Sequence, residues 1–281
     1  MKYCDLHCHS TFSDGTNTPK QLLELAKKAN LSALALTDHN TIDGLETFLQ
    51  ESKNYDILPI AGIEISTEYQ DKSIHIVGLF LDKSYFETIK DFLKIPLKRK
   101  EESNRLLALN LNKNGYKIDY EKIKKEATGQ INRVHFAKQL ISGGYVDSVE
   151  TACQTILAED NGIYIPPKRL SSFETIEFLI SIKAVPVLAH PLLDLTPQEL
   201  PHFLAKAKEF GLIAIESTYS TYTTQEQEFC EKLAKEYGLL NSGGSDFHGD
   251  NKPDIKLGIG KGNLLVPLEY ATNLLNEKNK L

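Results

Sequence analysis

Short β-type runs alternate with helical patterns over most of this chain, and nearly every run ends on or near a histidine or an acid. The spacing predicts strands over 3–6, 33–37, 57–65, 73–80, 185–189, 212–216, 239–242 and 263–266. Helices are predicted over 19–29, 44–53, 172–182, 197–210, 223–237 and 268–276. Thr18-Pro19 reads as a helix cap followed by a first-turn proline, and Gly211 and Gly238 stand where helices should stop. Strand–helix alternation argues for a mostly parallel α/β sheet or barrel.

The middle of the chain breaks that rhythm. Residues 85–114 are helical in pattern, interrupted by Pro96, and further helices are predicted over 120–127, 133–141 and 148–157. Gly143-Gly144 marks a turn, and Pro166-Pro167 closes the stretch. This reads as a helical insertion over 96–170 in a barrel formed by 1–95 and 171–281. The insertion carries 13 Lys+Arg against 9 Asp+Glu, whereas the rest carries 19 against 29. An acidic body with a basic segment suits metal in one part and an anion in the other.

No apolar run approaches the roughly 18 residues that span a bilayer, so no membrane partner is expected. Residues 1–7 place Asp5 and His7 where a secretion signal needs its apolar stretch. The four cysteines (Cys4, Cys8, Cys153, Cys230) form no disulfide framework. A cytoplasmic location is the expectation. A net charge of −6 gives no field for duplex DNA.

The histidines carry the chemistry. His7-Cys8-His9 follows an apolar strand, so period two puts both imidazoles on one face and Cys8 on the other. Asp14 lies in the turn Ser13-Asp14-Gly15, Asp38-His39 closes a strand, Glu64 ends another, and His75 sits within a fourth. His190 precedes Pro191, and Asp246-Phe247-His248 again offers two ligand types at period two. In a (β/α) barrel the carboxyl ends of the strands converge on one face, where active sites form. Imidazole with carboxylate suits zinc, iron or manganese, and more ligands are present than one ion accepts. Two or three ions would clamp the attacking and leaving oxygens of a displacement at phosphorus.

These motifs resemble the PHP (polymerase and histidinol phosphatase) family. The resemblance rests on His7-x-His9, Ser13-Asp14-Gly15, Thr37-Asp38-His39, Gly62-Ile63-Glu64, His75-Ile76-Val77-Gly78, Ala189-His190-Pro191 and Ser245-Asp246-Phe247-His248-Gly249. It implies a distorted (β/α)7 TIM-like barrel with a trinuclear site of divalent metal, manganese first and iron or zinc as alternatives. His7, His9, Glu64 and Asp246 would hold one ion, and Glu64 would bridge to a second held by His75 and His190. Asp14, His39 and His248 would hold the third. Asp38 would support this set, and Glu64, Asp246 and His248 would serve catalysis, with a hydroxide bridging two ions as attacking group.

Within the insertion, Ile131-Asn132-Arg133-Val134-His135 and Gly162-x-Tyr164-Ile165-Pro166 resemble the branch containing 3′,5′-nucleoside bisphosphate phosphatases and 5′-to-3′ exoribonucleases. That resemblance implies that Arg133 and His135 bind substrate phosphate, and that the substrate is a nucleotide or short oligoribonucleotide. A forked guanidinium can donate two parallel hydrogen bonds to phosphate oxygens. The chain departs from the branch at Val134, Leu31 and Asn40, none of which removes a ligand. Competing readings are a histidinol-phosphate phosphatase, which would not need Arg133 and His135, and a non-catalytic scaffold module. Cys4 and Cys8 are expected in packing and His202 on an outer helix; Glu216 is open between site and structure, and Tyr219 and Tyr222 between stacking on a base and the ordinary place of aromatic residues in loops.

Overall fold

The computed structural model describes residues 2–126, 131 and 133–281. Met1, the expected helix end at Ala127, and Asn132 of the insertion motif lie outside the described residues. In chain order the elements begin β1 (Tyr3–Asp5), α1 (Pro19–Lys28), β2 (Leu31–Leu36), α2 (Leu45–Glu51), β3 (Leu58–Tyr69) and β4 (Lys72–Leu79). Four helices follow: α3 (Phe86–Lys113), α4 (Tyr120–Glu126), α5 (Arg133–Ser142) and α6 (Val149–Gln154). The chain then runs through α7 (Ser172–Ser181), β5 (Val185–Leu188), α8 (Pro191–Asp194), α9 (Glu199–Glu209) and β6 (Ala214–Tyr219). It ends with α10 (Thr224–Tyr237), β7 (Leu240–Gly244), β8 (Val266–Pro267) and α11 (Leu268–Lys278). Thr18 and Gln21 cap α1 reciprocally with Pro19 in its first turn, as the sequence suggests.

Two compact units result, Met1–Phe92 with Leu170–Leu281, and Leu93–Arg169. The first is a distorted TIM-like α/β barrel. Its sheet runs β7-β6-β5-β4-β3-β2-β1-β8. Strands β1, β2 and β3 are parallel, as are β5, β6 and β7. Strand β4 runs against both neighbours. Only Gln70 and Asp71, both at positive φ (48° and 62°), separate β3 from β4. Two residues make a hairpin but cannot make the long crossover that a parallel partner needs.

The ring closes between β1 and β7. Leu6 N–H donates to Gly243 O at 3.1 Å, Asp246 N–H to His7 O at 2.8 Å, and His9 N–H to Phe247 O at 3.0 Å. The buried Asp5 carboxylate accepts from Ser245 N (2.8 Å), Ser245 Oγ (2.5 Å) and Gly258 N (2.8 Å), pinning the segment after β7 to β1. Cys4, Leu6, Ala33, Ala35, Val77, Val185 and Val187 belong to one continuous apolar core with Ala271 and Leu274 of α11. Helix α11 packs on β1, β2, β5 and β7, strands that are not all neighbours, which puts it across one end of the ring.

The second unit is helical and has its own core, built from Leu107, Leu111, Ile123, Phe136, Leu140, Ala152 and Leu157 among others. Helix α3 does not break at Pro96 as its sequence suggests. Proline costs one N–H bond and a local bend, and the long helical flank that follows carries the helix on.

Closure leaves no room at Gly244, where a Cβ would collide with the backbone nitrogen and Cβ of His7. Gly244→Ala should therefore lower unfolding stability by about 1–3 kcal/mol, read from the urea midpoint. An unchanged midpoint would mean that β1 and β7 do not meet as described.

Candidate metal centre

Strand pitch and tight turns deliver the candidate ligands to one face. His7 and His9 lie just beyond β1 and point the same way, while Cys8 turns outward and its thiol donates to Ala35 O at 3.1 Å. Asp38 directs its carboxylate to the following turn rather than to the histidines. It accepts from Ser10 N, Ser10 Oγ and Ser13 Oγ, each at 2.7 Å, and so fixes the loop that carries Asp14. Asn251 Nδ2 donates to Asp14 O at 2.7 Å, and Thr16 N to His248 O at 3.1 Å, tying that loop to the segment bearing His248. His75 is not at a strand's carboxyl end. It reaches the site from inside β4 because that strand is reversed, opposite Ser66 of β3, two residues past Glu64.

Glu64 is the centre. Its Oε2 lies 3.1 Å from His7 Nε2, 3.1 Å from His9 Nε2 and 3.1 Å from His39 Nδ1. Its Oε1 lies 2.9 Å from His75 Nδ1 and 3.0 Å from His190 Nε2. Asp246 Oδ1 stands 3.2 Å from His9 Nε2, and Asp14 Oδ1 stands 3.3 Å from His248 Nε2. Among the described residues, three sets have ligand atoms within 4.8 Å of one another: His7, His9, Glu64 and Asp246; His9, Asp14, His39 and His248; and His39, Glu64 and His75. All nine metal ligands expected from the sequence lie in or beside these sets, with His190 next to the third through Glu64 Oε1.

The donor set fits divalent ions. His7 Nε2, both ring nitrogens of His9, His39 Nδ1 and Glu64 Oε2 are buried without a hydrogen-bond partner, although they face one another. Buried polar atoms are rarely left so unless something binds them. Electrostatics point the same way. Burial raises the Glu64 carboxyl, but the His7 charge, the hydrogen bond from His190 and the His75 ring beside it hold it well below the usual carboxylate range. Burial works against a charged His7, yet Glu64 and Glu216 lift it well above the usual imidazole range. Burial, with His9 and His75 beside it, drives His39 down to about 4 despite Glu64. The site demands positive charge but cannot supply it by protonating every ring, and metal cations meet that demand.

Several residues at the site are not legible as ligands in the sequence. Glu216 of β6 contacts His7 Nδ1 at 3.2 Å and accepts from His190 N at 2.8 Å. Tyr219 Oη donates to Asp246 Oδ2 at 2.7 Å, and Lys252 Nζ to the same oxygen at 2.6 Å. Asp194 Oδ2 lies 3.4 Å from His190 Nδ1, a helical i to i+4 pair. Tyr219 and Tyr222 are buried rather than open for stacking; the Tyr222 hydroxyl accepts from Leu192 N at 2.9 Å. His202 lies exposed on α9.

Arg133 and His135 are half-buried residues in the first turn of α5, in the second unit. The Arg133 guanidinium sits 4.9 Å from the centre of the Tyr164 ring, 3.7 Å from Glu159 Oε1, and donates to Leu157 O at 3.4 Å. The two insertion motifs picked out in the sequence thus meet at Arg133 and Tyr164.

Glu64→Gln removes the charge to which five imidazoles turn. Elemental analysis after loading with manganese should show fewer bound ions than in the parent protein, with phosphatase turnover reduced at least about a hundredfold. His202→Ala should change neither quantity. Full metal content in the Glu64 variant would show that Glu64 is not a shared ligand.

The profile of the PHP domain matches residues 5–155. The chain is 31% identical over 248 residues to a 5′-3′ exoribonuclease of Haemophilus influenzae, covering 88% of this chain and 90% of that one. It is 26% identical to a 3′,5′-nucleoside bisphosphate phosphatase of Chromobacterium violaceum, with 88% of each chain covered. Among solved structures it resembles a Bifidobacterium adolescentis protein described as a metal-dependent phosphoesterase, at 26% identity and a TM-score of 0.66 over 98% of this chain and 96% of that one. With this fold, these strand-end motifs and these relatives, the chain belongs to the PHP domain family.

Proposed function

We propose that this enzyme, a metal-dependent phosphoesterase of the PHP family, hydrolyses a terminal phosphate ester of a small nucleotide, such as a 3′,5′-bisphosphate, or of a short 5′-phosphorylated RNA. The observation that carries the reading is the convergence of nine metal-type side chains on Glu64. Support for the substrate class comes from the exoribonuclease and bisphosphate phosphatase relatives. Divalent ions bound there, three per chain and manganese the first to test, would lower the pKa of water and neutralise charge developing on the phosphoryl oxygens.

The chain's own residues do the rest. His7, His9 and Glu64 are sealed from solvent, whereas the side chains of Asp14, His75 and His39 are 54%, 23% and 22% exposed. Substrate phosphate approaches from that open edge. Asp246 and His248 hold their groups beside it, 3.4 Å apart through Oδ1 and Nδ1. Glu64, Asp246 and His248 thereby fix the charges around which the phosphoryl group reacts. No side-chain nucleophile is required.

Arg133 and His135 are assigned a phosphate other than the scissile one. Arg133 already sits over the Tyr164 ring, which orders its guanidinium before a ligand arrives. Both residues stand in the first turn of α5, where helix N–H groups lack intrahelical partners and favour an anion.

The deciding experiment is phosphate release from 3′-phosphoadenosine 5′-phosphate, a 5′-phosphorylated dinucleotide and histidinol phosphate, with manganese added. Turnover of the nucleotides well above that of histidinol phosphate is expected. Preference for histidinol phosphate would overturn the proposal. Losing a charge-assisted hydrogen bond costs about 1.5–3 kcal/mol, so Arg133→Ala should lower kcat/KM for the bisphosphate about ten- to a hundredfold. An aryl phosphate, which offers no second phosphate, should lose little. Equal losses on both would refute a remote phosphate contact.

A further inference from the structure

Strand β6 contributes no member of the three ligand sets, yet it places a sealed carboxylate against two of the candidate ligands. Glu216 is 2% exposed. One of its oxygens, Oε1, lies 3.2 Å from His7 Nδ1, and the other, Oε2, lies 2.8 Å from the backbone nitrogen of His190. The pairing of β6 with β7 slips between Glu216 and Thr218. Such a bulge inserts an unpaired residue and re-aims the neighbouring side chains. His190 itself holds an unusual backbone, φ 25° and ψ 53°, which needs an external anchor to persist.

We propose that Glu216 is the positioning residue of the metal centre, fixing the ring of His7 and the backbone of His190 with one carboxylate. The inference rests on the metal-centre reading above and adds a residue to it. A neutral imidazole carries one proton. With Nδ1–H donated to Glu216, the lone pair must stand on Nε2, the buried atom that faces Glu64 at 3.1 Å without a hydrogen-bond partner. Carboxylates behind ligating histidines set tautomer and ring orientation in this way. The second oxygen acts on His190, which lies on the opposite side of Glu64, against Oε1 rather than Oε2. A single residue therefore orients ligands on both oxygens of Glu64.

The carboxylate sets its nearer oxygen before each donor, Oε1 at 3.2 Å from His7 Nδ1 and Oε2 at 2.8 Å from His190 N, with Oε2 a longer 3.4 Å from His7 Nδ1. Glutamine has one oxygen and one NH2, so Glu216→Gln turns a donor toward either His7 Nδ1–H or His190 N–H. The variant should stay folded by circular dichroism, yet bind Mn2+ about ten- to a hundredfold more weakly, read from free Mn2+ in electron paramagnetic resonance titrations. A second measurement follows that hydrogen bond itself. In zinc-loaded, 15N-histidine-labelled protein, the Nδ1–H proton of His7, identified by its loss in His7→Gln, should resonate far downfield, as donation to a carboxylate requires, and move upfield in Glu216→Gln. A merely structural role for Glu216 would leave that proton unmoved.

Manganese affinity of Glu216→Gln within twofold of the parent would overturn the proposal, as would a proton on Nε2 of His7. If the parent protein binds no ion at all, the metal-centre reading fails and this proposal falls with it. Normal binding by the parent and by Glu216→Gln would refute this proposal alone.

Discussion

Glu64 is a carboxylate sealed from water, and five imidazoles turn their nitrogens to its two oxygens at 2.9–3.1 Å. A charge so placed is costly unless compensated on every side. The compensation comes from four separate places in the chain, after β1, after β2, within β4 and after β5, while Asp246 and His248 after β7 complete the ring. No local segment could assemble this. Only a closed sheet brings strand ends so distant in sequence to one point, so the barrel is the condition for the site.

The cost of crowding like groups falls on residues behind the front row. Asp5 fastens the segment carrying Asp246, Asp38 fastens the loop carrying Asp14, and Glu216 reaches His7 and His190. Each spends its oxygens on backbone N–H groups, hydroxyls or a ring nitrogen, leaving the front-row atoms unpartnered and aimed inward. This division explains how so many ligand atoms stay fixed without satisfying one another. It also leaves Lys252 and Tyr219 on the outer oxygen of Asp246, keeping its inner oxygen for His7 and His9.

Much of this was legible in the sequence because ligand chemistry is local. His7-x-His9 after an apolar strand and Asp246-x-His248 after another announce a shared face by period two alone. The boundaries of most strands and helices followed from apolar spacing and caps such as Thr18 and Gly238. The direction of β4 was not anticipated, because Gln70-Asp71 is a weak turn signal beside Asn-Gly or Asp-Gly, and without it nothing showed how His75, placed inside a strand, would reach the strand-end face. Asp5, Asp194 and Lys252 were missed for a different reason. Their partners lie in other strands and loops, or one helical turn away, and an isolated acid or lysine carries no mark of what it will touch. Glu216 stood open between site and structure because a strand-end glutamate reads alike in both roles until a bulge aims it. Pro96 does not end its helix because helical sequence on both sides carries α3 through the one missing N–H bond.

Around Glu64 the side chains could either share metal ions or only neutralise one another as an acid–histidine cluster, and anomalous diffraction from crystals of the protein grown with Mn2+ separates the two. A shared metal centre gives three manganese peaks at this face of the barrel, two of them flanking the Glu64 carboxylate, with His7 Nε2 and His190 Nε2 turned to different ions. A Glu64 carboxylate bonded only to protonated histidines, with manganese absent or bound elsewhere, would contradict it.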